Sequence, residues 1–126
     1  MGYSNVSLVY TSWANLSDRP FRALTYMALM ASDTDCPPLY FGGYPALARA
    51  LGRNITDEWD PGSAKVREKR ARKAAMEAVR IALVPLKDAG VVVVSVEEAP
   101  GRGPVLALLL DARMRRAFRR IALGTT

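Results

Sequence analysis

The sequence contains no histidine and a single cysteine. Without histidine, the Ser-His-Asp and Cys-His catalytic arrangements and every histidine-ligated metal site are excluded. The one cysteine, Cys36, can form neither an internal disulfide nor a thiolate cluster. Such sparse usage fits a reducing cytoplasm. Long apolar runs are also missing. The longest, Val105 to Leu110, falls far short of the ~18 residues that a membrane span needs. The opening Met1-Gly2-Tyr3-Ser4-Asn5-Val6 lacks the basic flank and apolar centre of a signal peptide. Val6 also stands where a myristoylation signal requires Ser or Thr. A cytoplasmic location away from the membrane is expected, with the Asn-x-Ser/Thr triplets at Asn5, Asn15 and Asn54 unmodified.

What remains is a chain of 126 residues, half of them apolar and 24% charged, a composition that supports one compact domain over residues 1–126. The charge is uneven. Residues 1–62 carry four basic and six acidic side chains, a net of −2, whereas residues 63–126 carry fourteen and six, a net of +8. Two runs hold most of the excess. Lys65 to Lys73 contains six basic residues and one acid, Glu68, and Arg113 to Arg120 contains five arginines and no acid. A charge run is commonly a solvated helix face, but six positive charges within about two helical turns repel one another. A polyanion relieves that repulsion.

Along the chain, Val6 to Thr11 is rich in strand formers and predicts a short strand or extended arm within residues 1–16. Ser17-Asp18-Arg19-Pro20 is a helix start with a capping oxygen and a first-turn proline, leading into Phe21, Leu24, Ala28 and Ala31 at helical spacing with an end near Ser32. Asp33 to Pro38 is a loop, in which Cys36 is an incidental thiol. Tyr40-Phe41-Gly42-Gly43 allows a short strand and leads into a helix over Tyr44 to Leu51, stopped by Gly52. The aromatics Tyr40, Phe41 and Tyr44 are better explained by packing than by base stacking. In the polar turn region that follows, Asp57, Glu58 and Asp60 do not match a calcium-loop spacing; no metal and no cofactor is expected.

The longest helix runs from Ser63 to about Ala89, with Gly90 as its stop. Ala71, Ala75, Ala78, Ala82 and Leu86, flanked by Val79 and Leu83, form its core stripe, and Pro85 loosens its last turn. Val91 to Val96 and Val105 to Leu110 form a hairpin around a Pro/Gly-rich loop that carries Arg102. Gly101-Arg102-Gly103 is not a phosphate fingerprint, because it joins no strand to a helix. A last helix, Asp111 to about Ile121, puts Met114, Ala117, Phe118 and Ile121 on one face and arginines on the other. The expected fold is therefore α+β and mainly helical: an N-terminal strand or arm (1–16), a three-helix core with a β-hairpin (17–110), and a C-terminal basic amphipathic helix and tail (111–126).

A helix pair followed by a hairpin is the winged helix-turn-helix order. Tyr44-Pro45-Ala46-Leu47-Ala48-Arg49-Ala50-Leu51-Gly52 resembles the first helix and turn of that motif. Ala78-Val79-Arg80 through Leu83, Leu86 and Ala89-Gly90-Val91 resembles the end of a recognition helix entering the wing. Over residues 17–110 the chain resembles winged helix-turn-helix DNA-binding proteins, in particular small proteins of actinobacterial phages and plasmids. One departure is that Arg53 to Ser63 is longer than the usual tight turn.

The resemblance implies a sequence-specific double-stranded DNA-binding protein: a transcriptional regulator, or a replication or maintenance factor of a mobile element, acting in the nucleoid or in the host cytoplasm. A helix fits the major groove, where arginine bridges guanine O6 and N7. The basic start of the long helix offers Lys65, Arg67, Lys69, Arg70, Arg72 and Lys73. At 100° per residue, Arg67, Arg70 and Lys73 lie along one side and Lys65, Lys69 and Arg72 along another, so one set is expected to reach bases and the other to flank phosphates. Helix starts at Tyr44 and Ser63 offer free amides to phosphate, and Arg102 reaches the minor groove or the backbone. The arginines at 113–120 are favoured as the solvated face of a helix that packs or dimerises through Met114, Phe118 and Ile121; a homodimer would read paired half-sites. No small-molecule effector is expected, since nothing of useful size lies outside the core. The alternatives are a winged-helix protein-interaction module and an RNA or single-strand binder. Catalysis would rest on loop carboxylates without evident partners, so an enzyme is not expected.

Overall fold

A computed structural model describes residues 3–53, 65–96 and 104–122, with the side chains of residues 65–68, 96, 121 and 122 outside the description. Its elements in order are α1 (Tyr3–Ser12), α2 (Asp18–Met30), β1 (Leu39–Tyr40), α3 (Gly43–Ala50), α4 (Lys65–Asp88), β2 (Val92–Val96), β3 (Val105–Leu108) and α5 (Ala112–Ala122). The fold is α+β and mainly helical, with an antiparallel three-stranded sheet in the order β1-β3-β2.

The N-terminal segment corrects the expected strand or arm: residues 3–12 form a helix. Short helices with several β-branched residues are marginal on their own and form where tertiary contacts hold them. Those contacts are specific. The carboxylate of Asp33, on the α2–β1 loop, accepts hydrogen bonds from the backbone amides of Ser4 (3.1 Å) and Asn5 (3.0 Å), so it caps α1 from 28 residues away. In return the side-chain amide of Asn5, 2% exposed, donates towards the carbonyls of Ala28, Ala31 and Ser32 at 3.3–3.4 Å and closes the end of α2. Asn5 and Val9 face the core one turn apart, and Trp13, a further turn on, donates its indole N–H to the Leu110 carbonyl at 3.1 Å.

The other elements follow their sequence patterns within a few residues. Pro20 lies in the first turn of α2, but Ser17 at the N-cap makes no side-chain capping bond. At the end of α3, Arg53 N–H binds the Ala48 carbonyl and Gly52 N–H the Arg49 carbonyl, both at 3.0 Å. This closure needs a left-handed residue between them, and Gly52 has φ +89°. The end of α4 uses the same bond pattern, from Val91 to Leu86 and from Gly90 to Lys87. Helix α4 continues through Pro85, whose carbonyl accepts from Ala89 N–H at 3.0 Å.

One core joins α1, α2, α3 and α4 to the sheet, and includes Leu24, Met27, Tyr40, Leu47, Val79, Leu86, Leu106 and Leu108. The α4 stripe supplies Ala75, Ala78, Val79, Ala82, Leu83 and Leu86 as buried residues; Ala71, expected among them, is exposed. β3 is buried along its whole length because it is the central strand, bonded to β1 on one side and β2 on the other. Leu39 pairs with Ala107 and Tyr40 with Leu106, while Val92 pairs with Leu108 and Val96 with Val105, past an irregularity at Ser95. These registers give the sheet two distinct ends. The hairpin loop leaves at one end, where β1 also delivers the chain to α3. The end of α4 and the approach to α5 lie at the other.

Candidate nucleic-acid interface

The start of α4 projects past the core. From 69 to 74 no side chain is buried, and among the described side chains of α4 Ala75 is the first that is. The reason is legible in the residues. Lys69, Arg70, Arg72 and Lys73 offer no apolar stripe, so there is nothing to bury, while Arg, Lys and Ala are good helix formers that sustain the helix without a partner. Lys69, Arg70 and Lys73 are exposed and Arg72 is half-buried. Lys69 and Lys73 are one turn apart, and Arg70 stands beside them. This outer surface continues into Glu77 and Arg80, which are joined as an exposed ion pair. The hydrogen bond from Arg80 holds the Glu77 carboxyl below its ordinary pKa, and the same contact raises that of Arg80. The pair lies at the end of this positive surface, and Lys73 also helps to lower the Glu77 carboxyl.

Of the other expected contacts, Lys65 and Arg67 lie in the first turn of α4 by backbone, and their side chains are outside the described residues, as are Ser63 and Arg102 altogether. The acids Asp57, Glu58 and Asp60 are also outside them. The residues from which the loop of Arg102 departs, Val96 and Val105, are paired.

Tyr44 sits half-buried in the first turn of α3, against a small cleft that it shares with Met76, Arg80 and Leu83 of α4. Its helix start is held in place by Tyr40. That side chain is 1% exposed, donates its hydroxyl to the Gly43 carbonyl at 2.8 Å and packs edge-on to Tyr26 with ring centroids 6.1 Å apart. Burial, reinforced by Tyr26, pushes the Tyr40 phenol well above its ordinary pKa of 10.0. The aromatic trio therefore divides. Tyr40 is core, Tyr44 is interfacial between α3 and α4, and Phe41 is 64% exposed. Phe41 departs from the packing expected of it. Strand alternation carries the signal: with Tyr40 inward, the next residue points outward.

On α5, Asp111 caps the helix by accepting from Met114 N–H at 2.8 Å. Met114 is 3% exposed and belongs to the chain's own core, and Phe118 is half-buried. Of the three residues expected on the packing or dimer face, Met114 is thus taken up internally, while the Ile121 side chain lies outside the described residues. Arg113, Arg115, Arg116, Arg119 and Arg120 are all exposed. Among the described residues no group of three or more Cys, Asp or Glu is placed to hold a metal ion, and no helix is long and apolar enough to cross a membrane.

No family model matches the chain, and neither a curated protein nor a solved structure does.

Proposed function

We propose that this chain binds double-stranded DNA as a winged helix-turn-helix protein, with the exposed start of α4 in the major groove. The observation that carries the reading is the six-residue stretch 69–74, helical, unburied and bearing four cations, which ends where the core stripe begins. A helix start that projects from a packed domain is the shape that enters a major groove. The surrounding architecture supports it. Elements α2-β1-α3-α4-β2-β3, with the first strand paired to the last in the order β1-β3-β2, are compatible with a winged-helix arrangement. Under this reading, α3 lies across the backbone with Tyr44 at its start, and the hairpin loop with Arg102 is the wing.

Lys69, Arg70 and Lys73 point away from the core, so they are assigned to the groove. Half-buried Arg72 flanks them at the phosphates. The resemblance extends the reading to a role in transcription control, or in replication or maintenance of a mobile element.

Fluorescence anisotropy tests the proposal, with duplexes taken from around the protein's own gene beside a scrambled duplex, at low and near-physiological salt. Specific recognition predicts a preference of roughly 10³ or more that survives added salt. Equal and steeply salt-dependent binding to both duplexes would refute it, because phosphate attraction alone gives that pattern.

A further inference from the structure

We infer that α5 presents a second nucleic-acid surface, a face of arginines that binds the phosphate backbone independently of α4. The inference rests in part on the DNA-binding reading above, and the experiment separates the two.

The face is built rather than incidental. At 100° per residue, Arg113, Arg115, Arg116, Arg119 and Arg120 fall within an arc of about 160°, and Met114, Ala117 and Phe118 occupy the opposite side. That opposite side is docked: Met114 is in the core, Ala117 and Phe118 are half-buried. The approach to the helix is tied down by the Trp13 bond to Leu110, and its first turn by the Asp111 cap. With Met114 in the core and Ala117 and Phe118 half-buried, the guanidinium side faces outward. This docking also takes up Met114, one of the three side chains that a dimer would have shared.

The helix contains no acid, and the Asp111 carboxylate is engaged on a backbone amide. Among the described residues, Arg113, Arg115, Arg116 and Arg119 have no ion-pair partner. On α4, by contrast, Arg80 is paired with Glu77. Every cation of α5 is arginine, the side chain whose planar fork meets two phosphate oxygens at once. A face of this charge, with this residue choice, is complementary to a nucleic-acid backbone.

Its position makes it a separate surface. β3 runs away from the hairpin loop, and Leu109 N–H binds the Val91 carbonyl at 2.7 Å, just past the end of α4. Hence α5 starts beside the C-terminal end of α4. Lys73 and Asp88 are fifteen residues apart on that helix, about 22 Å along its axis. The two basic surfaces therefore engage different phosphates, and α5 extends the footprint.

The test uses the full chain in three forms besides wild type: Arg113→Gln, Arg115→Gln, Arg116→Gln and Arg119→Gln combined; the same four positions changed to Lys; and Lys69→Gln, Arg70→Gln and Lys73→Gln combined. Affinity for matched and scrambled duplexes is measured against salt. Each phosphate contact contributes about 0.9 to the slope of log K against log salt. The α5 Gln form is expected to lose about three to four from that slope, and roughly a hundredfold or more in affinity near ~0.1 M salt, equally for both duplexes. The α5 Lys form regains most of the slope. If the α5 Gln form is unfolded by circular dichroism, Arg116→Gln and Arg119→Gln are measured singly, each expected to remove about one from the slope.

An unchanged slope in the folded α5 forms, with loss in the α4 form, overturns this inference and leaves the proposed function standing. Loss in the α5 form with no change in the α4 form does the reverse. Tighter, α5-dependent binding to poly-glutamate than to duplex would assign the face to an acidic protein and overturn the inference. Wild-type protein that binds no duplex at low salt overturns both.

Discussion

The corner where α1 meets the end of α2 yields a quantitative prediction. Asp33 supplies both oxygens to amides of the first turn of α1, so Asp33→Ala is expected to cost about 1 kcal/mol, within the range for a lost N-cap. Asn5 closes the other side. Its side-chain amide is buried against three carbonyls, and Asn5→Ala removes their donor. Leaving buried acceptors without partners costs about 1–3 kcal/mol, and we expect roughly 2. Asn5→Asp is nearly isosteric but faces a carboxylate towards carbonyl oxygens, so it must cost more than the alanine. The two residues fasten one corner, and once it is released the second substitution has less to remove. The double alanine variant should therefore fall short of additivity by at least ~0.5 kcal/mol. Urea unfolding at constant m-value measures all four forms, and amide hydrogen exchange at Ser4 and Asn5 localises the effect. A chain of this size loses about 3–6 °C in Tm per kcal/mol. Additive costs, an Asn5→Asp variant as stable as Asn5→Ala, or unchanged exchange in Asp33→Ala would each refute the reciprocal-cap argument.

Three further outcomes follow from the site. A Cβ on Gly42 would lie 2.6–2.7 Å from the ring and hydroxyl of Tyr40; Gly42→Ala should cost about 1–3 kcal/mol and weaken DNA binding by shifting the start of α3, as read by thermal unfolding and anisotropy together. The neutral phenol of Tyr40 is favoured in the folded state, so its contribution is fully present below the ordinary value of 10.0 and is lost as pH rises past it. Urea midpoints should drop above that pH in wild type and drop less in Tyr40→Phe. Asp111→Ala removes the cap on Met114 and should cost about 1 kcal/mol, loosening α5 without changing the circular dichroism of the remaining helices.

Helices α2 to α5 and the hairpin were legible because each is specified by neighbours in the chain. The stripe Ala75 to Leu86 repeats at helical spacing, Gly52 and Gly90 stop their helices, and Val91 to Val94 is a β-branched run. The basic start of α4 was legible for the same reason, since a helical stretch with no apolar stripe has nothing to bury. The N-terminal helix departs from its local signal because Val6, Val9 and Tyr10 favour strands, while the decisive partners, Asp33 and the end of α2, are roughly thirty residues away. Ala71 shares the phase of the core stripe yet is exposed, since periodicity gives the phase of a helix face but not the point where its neighbours begin.

Sequence alone therefore determined the elements whose signals are periodic or local, along with their charge. Only the tertiary structure decided that residues 3–12 are helical, that β1 pairs with β3 across some sixty-seven residues (Leu39 with Ala107), and that Met114 is spent on the chain's own core. The physical reason is one of range. Propensity and amphipathicity act over a few residues. Capping from a distant loop, strand pairing and the choice of what covers an apolar face depend on groups that meet only after the chain has folded.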